Sequence, residues 1–427
     1  MEHDAKAVNV VKPLTLFQEK DFTLLVTGQF ISALGDKLHY IALGVLIYRL
    51  TGSALEVGKM TLATFLPYLL FGLIAGAYVD RWEKKRTMIT ADLLRAVFVG
   101  LIPLLISYSI NLVYVLSFLS TTANLFFSPA KMAVIPALFT KEKILTATSL
   151  AETAENITEI LGYAMAGLWI TFVPIQKVFY IDSLTFVFSA VLIYAMTFQF
   201  EAQNSGEDNF EEENKSHIFQ DIIEGLSYIR ETKVLARTLL TYCLVLLLFS
   251  GFNPLIFVYA LDTLKTSNFG LGILEASAAV GITAGSTLLA VWGSNLNKEK
   301  LIFSGYFLSG LTIAILGVFP WYPLAVIGFF LTGVSNSLFL LPVQSIFQEE
   351  TETFMRGRVF SARFALTRIA YMGSISLLTY GAAQIGVGAI YCLSGSVLLA
   401  GTMMLACLSY FRVKKDPQAY PNDSTQW

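Results

Sequence analysis

Charged residues are scarce in this chain of 427 residues, at 14%, against about 25% in an ordinary soluble domain. Hydrophobic residues make up 55% of it, and a water-exposed surface of this size would need more charge to stay soluble. The formal net charge of −2 gives no basic field for holding phosphate groups. The composition disfavours a soluble enzyme, predicts no nucleic-acid partner and favours a protein whose surface faces lipid.

Cysteine and histidine are also rare, with three residues of each. Cys243, Cys392 and Cys407 lie in long apolar runs and lack the spacing of a metal site. The chain has no GxxxxGK[ST] loop for ATP and no clustered catalytic constellation. The sequence therefore predicts no metal, no cofactor and no enzymatic activity.

About twelve apolar stretches are long enough for transmembrane helices, which need about 20 residues each. They are continuously apolar and do not alternate as barrel strands do. We therefore expect an all-α membrane protein with two pseudo-symmetric six-helix bundles. The predicted domains are a cytoplasmic N-terminal segment (1–21), a first bundle (22–200), a cytoplasmic linker with an amphipathic helix (201–236), a second bundle (237–411) and a cytoplasmic tail (412–427).

Lysine and arginine are concentrated in alternate short connections, which marks those connections as cytoplasmic. Examples are Lys141 and Lys143 in the fourth connection and Lys298 and Lys300 in the eighth. Both termini are then cytoplasmic, and residues 1–21 lack the pattern of a cleaved signal peptide. A division into two halves is further indicated by weak internal sequence similarity, in which matching residues such as Gly162 and Gly373 lie about 211 positions apart.

The most specific motif is GAYVDRWEKKR, at the end of the second predicted span. It resembles the loop G-x-x-x-D-R-x-x-[RK]-[RK] of the major facilitator superfamily. The resemblance implies a cytoplasmic gate motif, in which Asp80 attracts the start of span eleven near Arg356 and Arg358. Asp92 and Arg95, three residues apart in span three, are interpreted as a further gate contact. The residues that match the loop are Gly76, Asp80, Arg81, Lys84, Lys85 and Arg86.

Further stretches resemble the drug:proton antiporter branch of that superfamily, which contains macrolide-efflux and enterobactin-export proteins. They include QFISALGD, IYRLTGSAL, IDSLTF, EGLSYIRE and RGRVFS. Two departures bear on proton coupling. Ser120 aligns with an arginine that many proton-coupled members carry in span four, and Gly162-Tyr163 stands where a Gly-Pro pair is usual.

Ionisable side chains at membrane depth are costly, so they generally face a cavity or a partner. Asp36 and His39 are three residues apart and share one face of the first span. They are interpreted either as a proton-carrying pair or as a polar contact between helices. Glu275 lies alone in an apolar run, where it is a candidate coupling carboxylate or a hydrogen-bonding group.

Span five carries the acidic stripe formed by Glu152, Glu155 and Glu159. Like charges on one stripe tolerate burial only if some are protonated or paired with cations. Glu152 is therefore the first candidate for the carboxylate that carries a proton in the cavity. The offset of about 211 residues between the two halves makes Arg363 the counterpart of Glu152. A structural bridge between Glu152 and Arg363 is therefore the alternative.

The resemblance implies a monomeric secondary transporter in a bacterial inner membrane. It would export a drug-like or amphipathic small molecule in exchange for protons, by alternating access. Within the same class, an uncoupled facilitator or a lysophospholipid or siderophore exporter remains open. From another class, a membrane sensor or scaffold that does not transport remains open.

Overall fold

Apolar, helix-forming sequence produces helices almost throughout the part of the chain that the computed structural model describes, residues 13–198, 210–293 and 296–415. The described residues divide into two compact units. The first contains the residues before Thr51 and those from Lys59 to 198, and the second contains Thr51–Gly58 and the residues from Phe210 onward. No strand occurs within these ranges, so the predicted all-α class is confirmed.

A 3₁₀ turn, Pro13–Gln18, precedes the first six helices. They are α1 (Lys20–Thr51), α2 (Ala54–Arg81), α3 (Lys84–Leu105), α4 (Ile110–Leu138), α5 (Lys141–Phe172) and α6 (Ile175–Tyr194). The later helices are α7 (Phe210–Glu231), α8 (Lys233–Phe249), α9 (Phe252–Val258), α10 (Asn268–Trp292), α11 (Lys298–Val318), α12 (Tyr322–Glu349), α13 (Arg356–Ile385) and α14 (Val387–Lys415). A π-helical turn, Tyr259–Thr263, continues α9.

Ten helical segments within the described ranges are long and apolar enough to cross a membrane. Helices α5 and α13 are long enough but not apolar enough to be counted among them. Helix α5 carries the acidic stripe, and α13 carries Arg363 and Arg368. The count of twelve spans and the cytoplasmic placement of both termini stay predictions.

Helix ends follow local signals in the sequence. The Ser109 hydroxyl accepts a hydrogen bond from the Asn111 N–H and caps α4, and the Asn297 side chain caps α11 in the same way. Gly386 takes a φ of 86°, which an L side chain rarely adopts, and so separates α13 from α14. These caps satisfy N–H groups that a helix leaves without a partner at its start.

In the first unit, α3 packs against α4 and α6. A cluster of buried apolar side chains fills one end of this unit, where the rings of Phe22 and Phe139 meet edge to face at 5.2 Å. Along α1, Gly35 lies against α6 so closely that an added Cβ would clash with Asp182 Oδ1 and Thr185 Oγ1. This approach brings polar groups of α6 within reach of α1.

Helix α7, which overlaps the predicted amphipathic linker helix, groups with the second unit and packs against α13. The Arg358 guanidinium pairs with Asp221 at 2.9 Å and with Glu224 at 2.7 Å. Gly225 faces the backbone carbonyl of Arg358, while Ile223 is exposed. The docked face of α7 therefore includes acidic side chains, and Ile229 of the same helix is buried.

Candidate transport cavity

A polar cavity of about 350 Å³ lies inside the first unit, lined by residues of α1, α3, α4 and α5. It brings together four of the ionisable residues that the sequence singles out, Asp36, Arg95, Glu155 and Glu159. They come from three helices whose charged positions are far apart along the chain. The helix packing, rather than any local motif, creates the site.

Each carboxylate of this cavity is paired with a cation. Lys37 Nζ lies 2.7 Å from Glu159 Oε1, and Arg95 Nη2 lies 2.6 Å from Asp36 Oδ1. Lys131 Nζ also donates to Glu155 Oε1. Pairing with cations is one of the two conditions under which the acidic stripe tolerates its place in the bundle.

The two partners of each pair differ in exposure. The side chains of Glu159 and Glu155 are 40% and 52% exposed, against 24% for each lysine. Asp36 is 41% exposed, whereas Arg95 is 8% exposed. The cations also line the cavity, but the acids are the more exposed partner of each pair.

A second cavity of about 340 Å³ shares Gln29, Ser128, Lys131, Glu155 and Thr158 with the first. The rest of its lining is mostly apolar and includes Leu25, Val26, Phe30, Met132, Ile135 and Pro136. Glu152 also lines it, and no cation among the described residues of its unit pairs with this carboxylate. The two cavities together offer an acidic wall beside an apolar one.

Asp36 and His39 share a face of α1 but have separate partners. The His39 imidazole Nδ1 lies 3.2 Å from Asp182 Oδ2 on α6, and Asp36 pairs with Arg95 on α3. Asp92, which the sequence assigns to a gate, is completely buried, with Oδ1 3.8 Å from Arg95 Nη1. Asp92 and Arg95 therefore belong to a polar network inside the first unit.

Sequence reasoning missed two residues of this site, Lys37 and Asp182. Lys37 follows Asp36 directly, and Asp182 lies in the IDSLTF stretch that also carries the family resemblance. A charge within an apolar run was the available signal for both. Lys131 is a lone cation in its own apolar run, and in the structure it pairs with Glu155.

The gate motif spans the end of α2 and the start of α3. Lys84 Nζ donates to the carbonyl oxygens of Val79 and Asp80 at 2.6 and 2.7 Å, where a cation is favourable at a helix C-terminus. Lys85 Nζ donates to the Met196 carbonyl at 2.6 Å, just beyond α6. Arg86 pairs with Glu83 at 2.7 Å.

The motif is completed by Asp80, Arg81 and Gly76. Asp80 and Arg81 are exposed, and an added Cβ at Gly76 would meet no atom of that unit within 4 Å. Asp80 lies in the first unit, whereas Arg356 and Arg358 lie in the second. The predicted latch between them stays a prediction.

The remaining candidates also lie in the second unit. Glu275 is buried on α10, and the Arg363 guanidinium lies over the rings of Phe347 and Phe360 at 5.0 and 5.5 Å. Arg356 Nη2 donates to the Gln348 carbonyl at 3.5 Å. In the described ranges, no three His, Cys, Asp or Glu side chains are grouped so as to hold a metal ion.

Comparison with known proteins gives one consistent result. Residues 25–293 match the Major Facilitator Superfamily. Macrolide efflux protein A of Streptococcus pyogenes is 25% identical, over 92% of this chain and 96% of that protein. The putative bacilysin exporter BacE of Bacillus subtilis is 26% identical, over 88% and 92%. A crystal structure of the nucleoside transporter NupG superposes with a TM-score of 0.74 at 12% identity, covering 90% of this chain and 99% of that one.

Proposed function

Because the chain belongs to the major facilitator superfamily, a family of membrane transporters, we propose that it exports an amphipathic molecule carrying a positive charge, in exchange for protons. The observation that carries this proposal is the exposure of carboxylates on the cavity wall of the first unit. The direction of transport is supported by relatives named as macrolide efflux and bacilysin exporter proteins.

The charge of the substrate follows from the arrangement of the ion pairs. A bound cation meets the more exposed partners, Glu155, Glu159 and Asp36, before it meets Lys37 or Lys131. The lysines are less exposed than these carboxylates, so the acids are the more accessible charges of the wall. Glu152 has no paired cation among the described residues of its unit, so it offers attraction at no cost of breaking a pair.

The apolar part of the substrate is accommodated by the second cavity. Its lining of aliphatic side chains around Met132 and Ile135, with Phe30, buries apolar surface of varied shape, and methionine is especially adaptable to irregular ligands. Phe126 and Trp82 stack at 5.5 Å near the end of α2. An apolar body with one cationic group matches the two walls better than a compact polar solute does.

Alternating access follows from the family, in which two helical bundles move about a central site. A one-for-one exchange of a monovalent cation for a proton moves no net charge, so the pH gradient drives it, at about 1.4 kcal/mol per pH unit. An uncoupled facilitator is the second candidate, and Ser120 favours it because proton-coupled relatives often carry an arginine there.

The test uses the full-length protein in liposomes with an acidic lumen and a clamped membrane potential. The probe is labelled tetraphenylphosphonium, a lipophilic cation that has no exchangeable proton. We expect accumulation above the external concentration, and none of a neutral triphenyl compound of similar size. Counterflow without accumulation supports the facilitator. Equal movement of the two probes, or no movement of either, contradicts the proposal.

A further inference from the structure

Five ionisable side chains from three helices form a network of two neighbouring groups beside the polar cavity. Arg95 pairs with Asp36 at 2.6 Å and lies 3.8 Å from Asp92, and His39 lies 3.2 Å from Asp182. The two groups are close together, because Gly35, which precedes Asp36, lies directly against Asp182. Asp36 alone is substantially exposed, at 41%.

The charges of this network do not balance. One arginine faces three aspartates, so full ionisation with a neutral imidazole leaves a net charge of −2. Asp92 and Asp182 are completely buried, and neither oxygen of Asp92 has a hydrogen-bond partner among the described residues. Buried carboxylates in excess of their cations favour uptake of protons, because burial and mutual repulsion both disfavour the charged forms.

No other cation of the described residues supplies the missing charge. On the helices packed around the network, Lys37 is paired with Glu159 and Lys131 with Glu155. The neighbouring polar groups of α6, the hydroxyls of Thr185 and Ser189, are neutral. Protons are therefore the available source of positive charge.

The packing fixes the network in place. The Arg95 guanidinium lies 4.0 Å from the centre of the Phe186 ring, and the His39 ring meets Phe179 edge to face at 5.3 Å. Gly35 allows α1 to approach Asp182 closely. Such support from aromatic rings and a close helix contact is what holds functional groups in a fixed geometry.

We propose that the His39–Asp182 pair binds the proton that is exchanged for substrate, and that Arg95 transmits its binding to Asp36 at the cavity. This inference rests on the proposed function. With the proton on the imidazole, Asp182 is compensated by His39 and Arg95 pairs with Asp36, as in the structure. When the pair gives its proton up to water, Asp92 and Asp182 attract Arg95, and Asp36 becomes free to bind a cationic group. Proton and substrate then compete without sharing a binding atom.

The experiment measures proton release when tetraphenylphosphonium binds to the full-length protein in weakly buffered detergent. We expect about one proton released per ligand, and an affinity that rises about tenfold per pH unit where the two are linked. His39→Gln and Asp182→Asn should still bind the ligand, with no proton released and an affinity independent of pH. The matched control is Glu349→Gln, which removes an exposed carboxylate of the second unit that pairs with Lys298.

The outcomes separate this inference from the proposed function. Wild-type proton release in both variants, or binding to the wild type without release, overturns the proton site. Loss of release in Glu152→Gln alone overturns it too and assigns the proton to Glu152. If Asp182→Asn does not fold, His39→Gln decides.

If the wild type does not bind tetraphenylphosphonium, the proposed cationic substrate class is wrong. The proton site is then tested without a ligand, by acid-minus-base infrared difference spectra of the purified protein. We expect imidazole and carboxyl bands that are lost in His39→Gln and Asp182→Asn but kept in Glu349→Gln. Identical spectra in all four proteins overturn the proposal.

Discussion

Glycines of the two units face different kinds of neighbour. In the first unit, a Cβ at Gly28 or Gly100 would lie 3.4 or 3.1 Å from a serine hydroxyl, and at Gly35 it would clash with Asp182. In the second unit, Gly281 and Gly333 face the backbone carbonyls of α12 and α10. At these positions, small residues admit polar side chains between helices of the first unit and bring helix backbones together in the second.

The ion pairs of the two units show the same contrast. Apart from the exposed pair of Arg86 with Glu83, the pairs described above in the first unit line a cavity or lie buried beside it. In the second unit, Lys298 pairs with Glu349 at the start of α11 and the end of α12, and Arg358 pairs with α7. Ion pairs that line a described cavity thus belong to the first unit, and the glycine contacts between the backbones of α10 and α12 belong to the second.

Removing one arginine from each unit tests whether the two sets of ion pairs contribute differently to stability. Arg95→Met leaves buried carboxylates without their cation, so we expect a loss of about 3–5 kcal/mol in unfolding free energy. Arg358→Met breaks half-exposed pairs and should cost about 1 kcal/mol or less. Thermal unfolding of the purified variants in detergent gives both values. Equal losses would show that burial does not distinguish the two networks.

The second prediction concerns glycine packing in the second unit. An added Cβ in Gly333→Ala would clash with the Ala278 carbonyl oxygen, and overpacking of this kind costs about 1–3 kcal/mol. Gly401→Ala, with open space around its Cβ, is the control, and we expect it to be neutral or stabilising by about 0.5–1 kcal/mol. A melting temperature of Gly333→Ala that matches the wild type would contradict the backbone contact between α10 and α12.

Much of the fold was predictable because a helix that crosses a membrane needs a long apolar run, which is visible in the sequence. The apolar run at the start of the predicted second bundle is divided in the structure into α8, α9 and a π-helical turn. Gly251 and Pro254 mark this division, but hydropathy alone does not register it. Helix α7 overlaps the predicted linker helix, whereas its docking through Asp221 depends on α13, which lies far away in sequence.

The site was predictable as a set of charges but not as a set of pairs. Asp36, Glu155 and Glu159 stood out because a charge in an apolar helix is costly. Their partners lie on other helices, and helix rotation and register, which a single sequence does not give, decide which charges meet. Asp36 and His39 therefore share a face of α1 and still pair with α3 and α6 separately.

The smallest expected effect belongs to Glu152, and it tests whether the first unit binds the cation. Glu152 lines the apolar cavity and has no paired cation among the described residues of its unit, so Glu152→Gln should leave the melting temperature unchanged. It should weaken tetraphenylphosphonium binding three- to tenfold, about 0.7–1.4 kcal/mol. Uphill and downhill transport should fall together at low ligand concentration and recover at saturation, because only binding is weakened. Loss of uphill transport alone would instead make Glu152 the proton carrier.

The structural bridge to Arg363 predicts a third pattern, in which stability falls in Glu152→Gln and is partly restored when Arg363 is also replaced by a neutral residue. Measuring melting, binding and both transport modes in the single and double variants distinguishes these three roles.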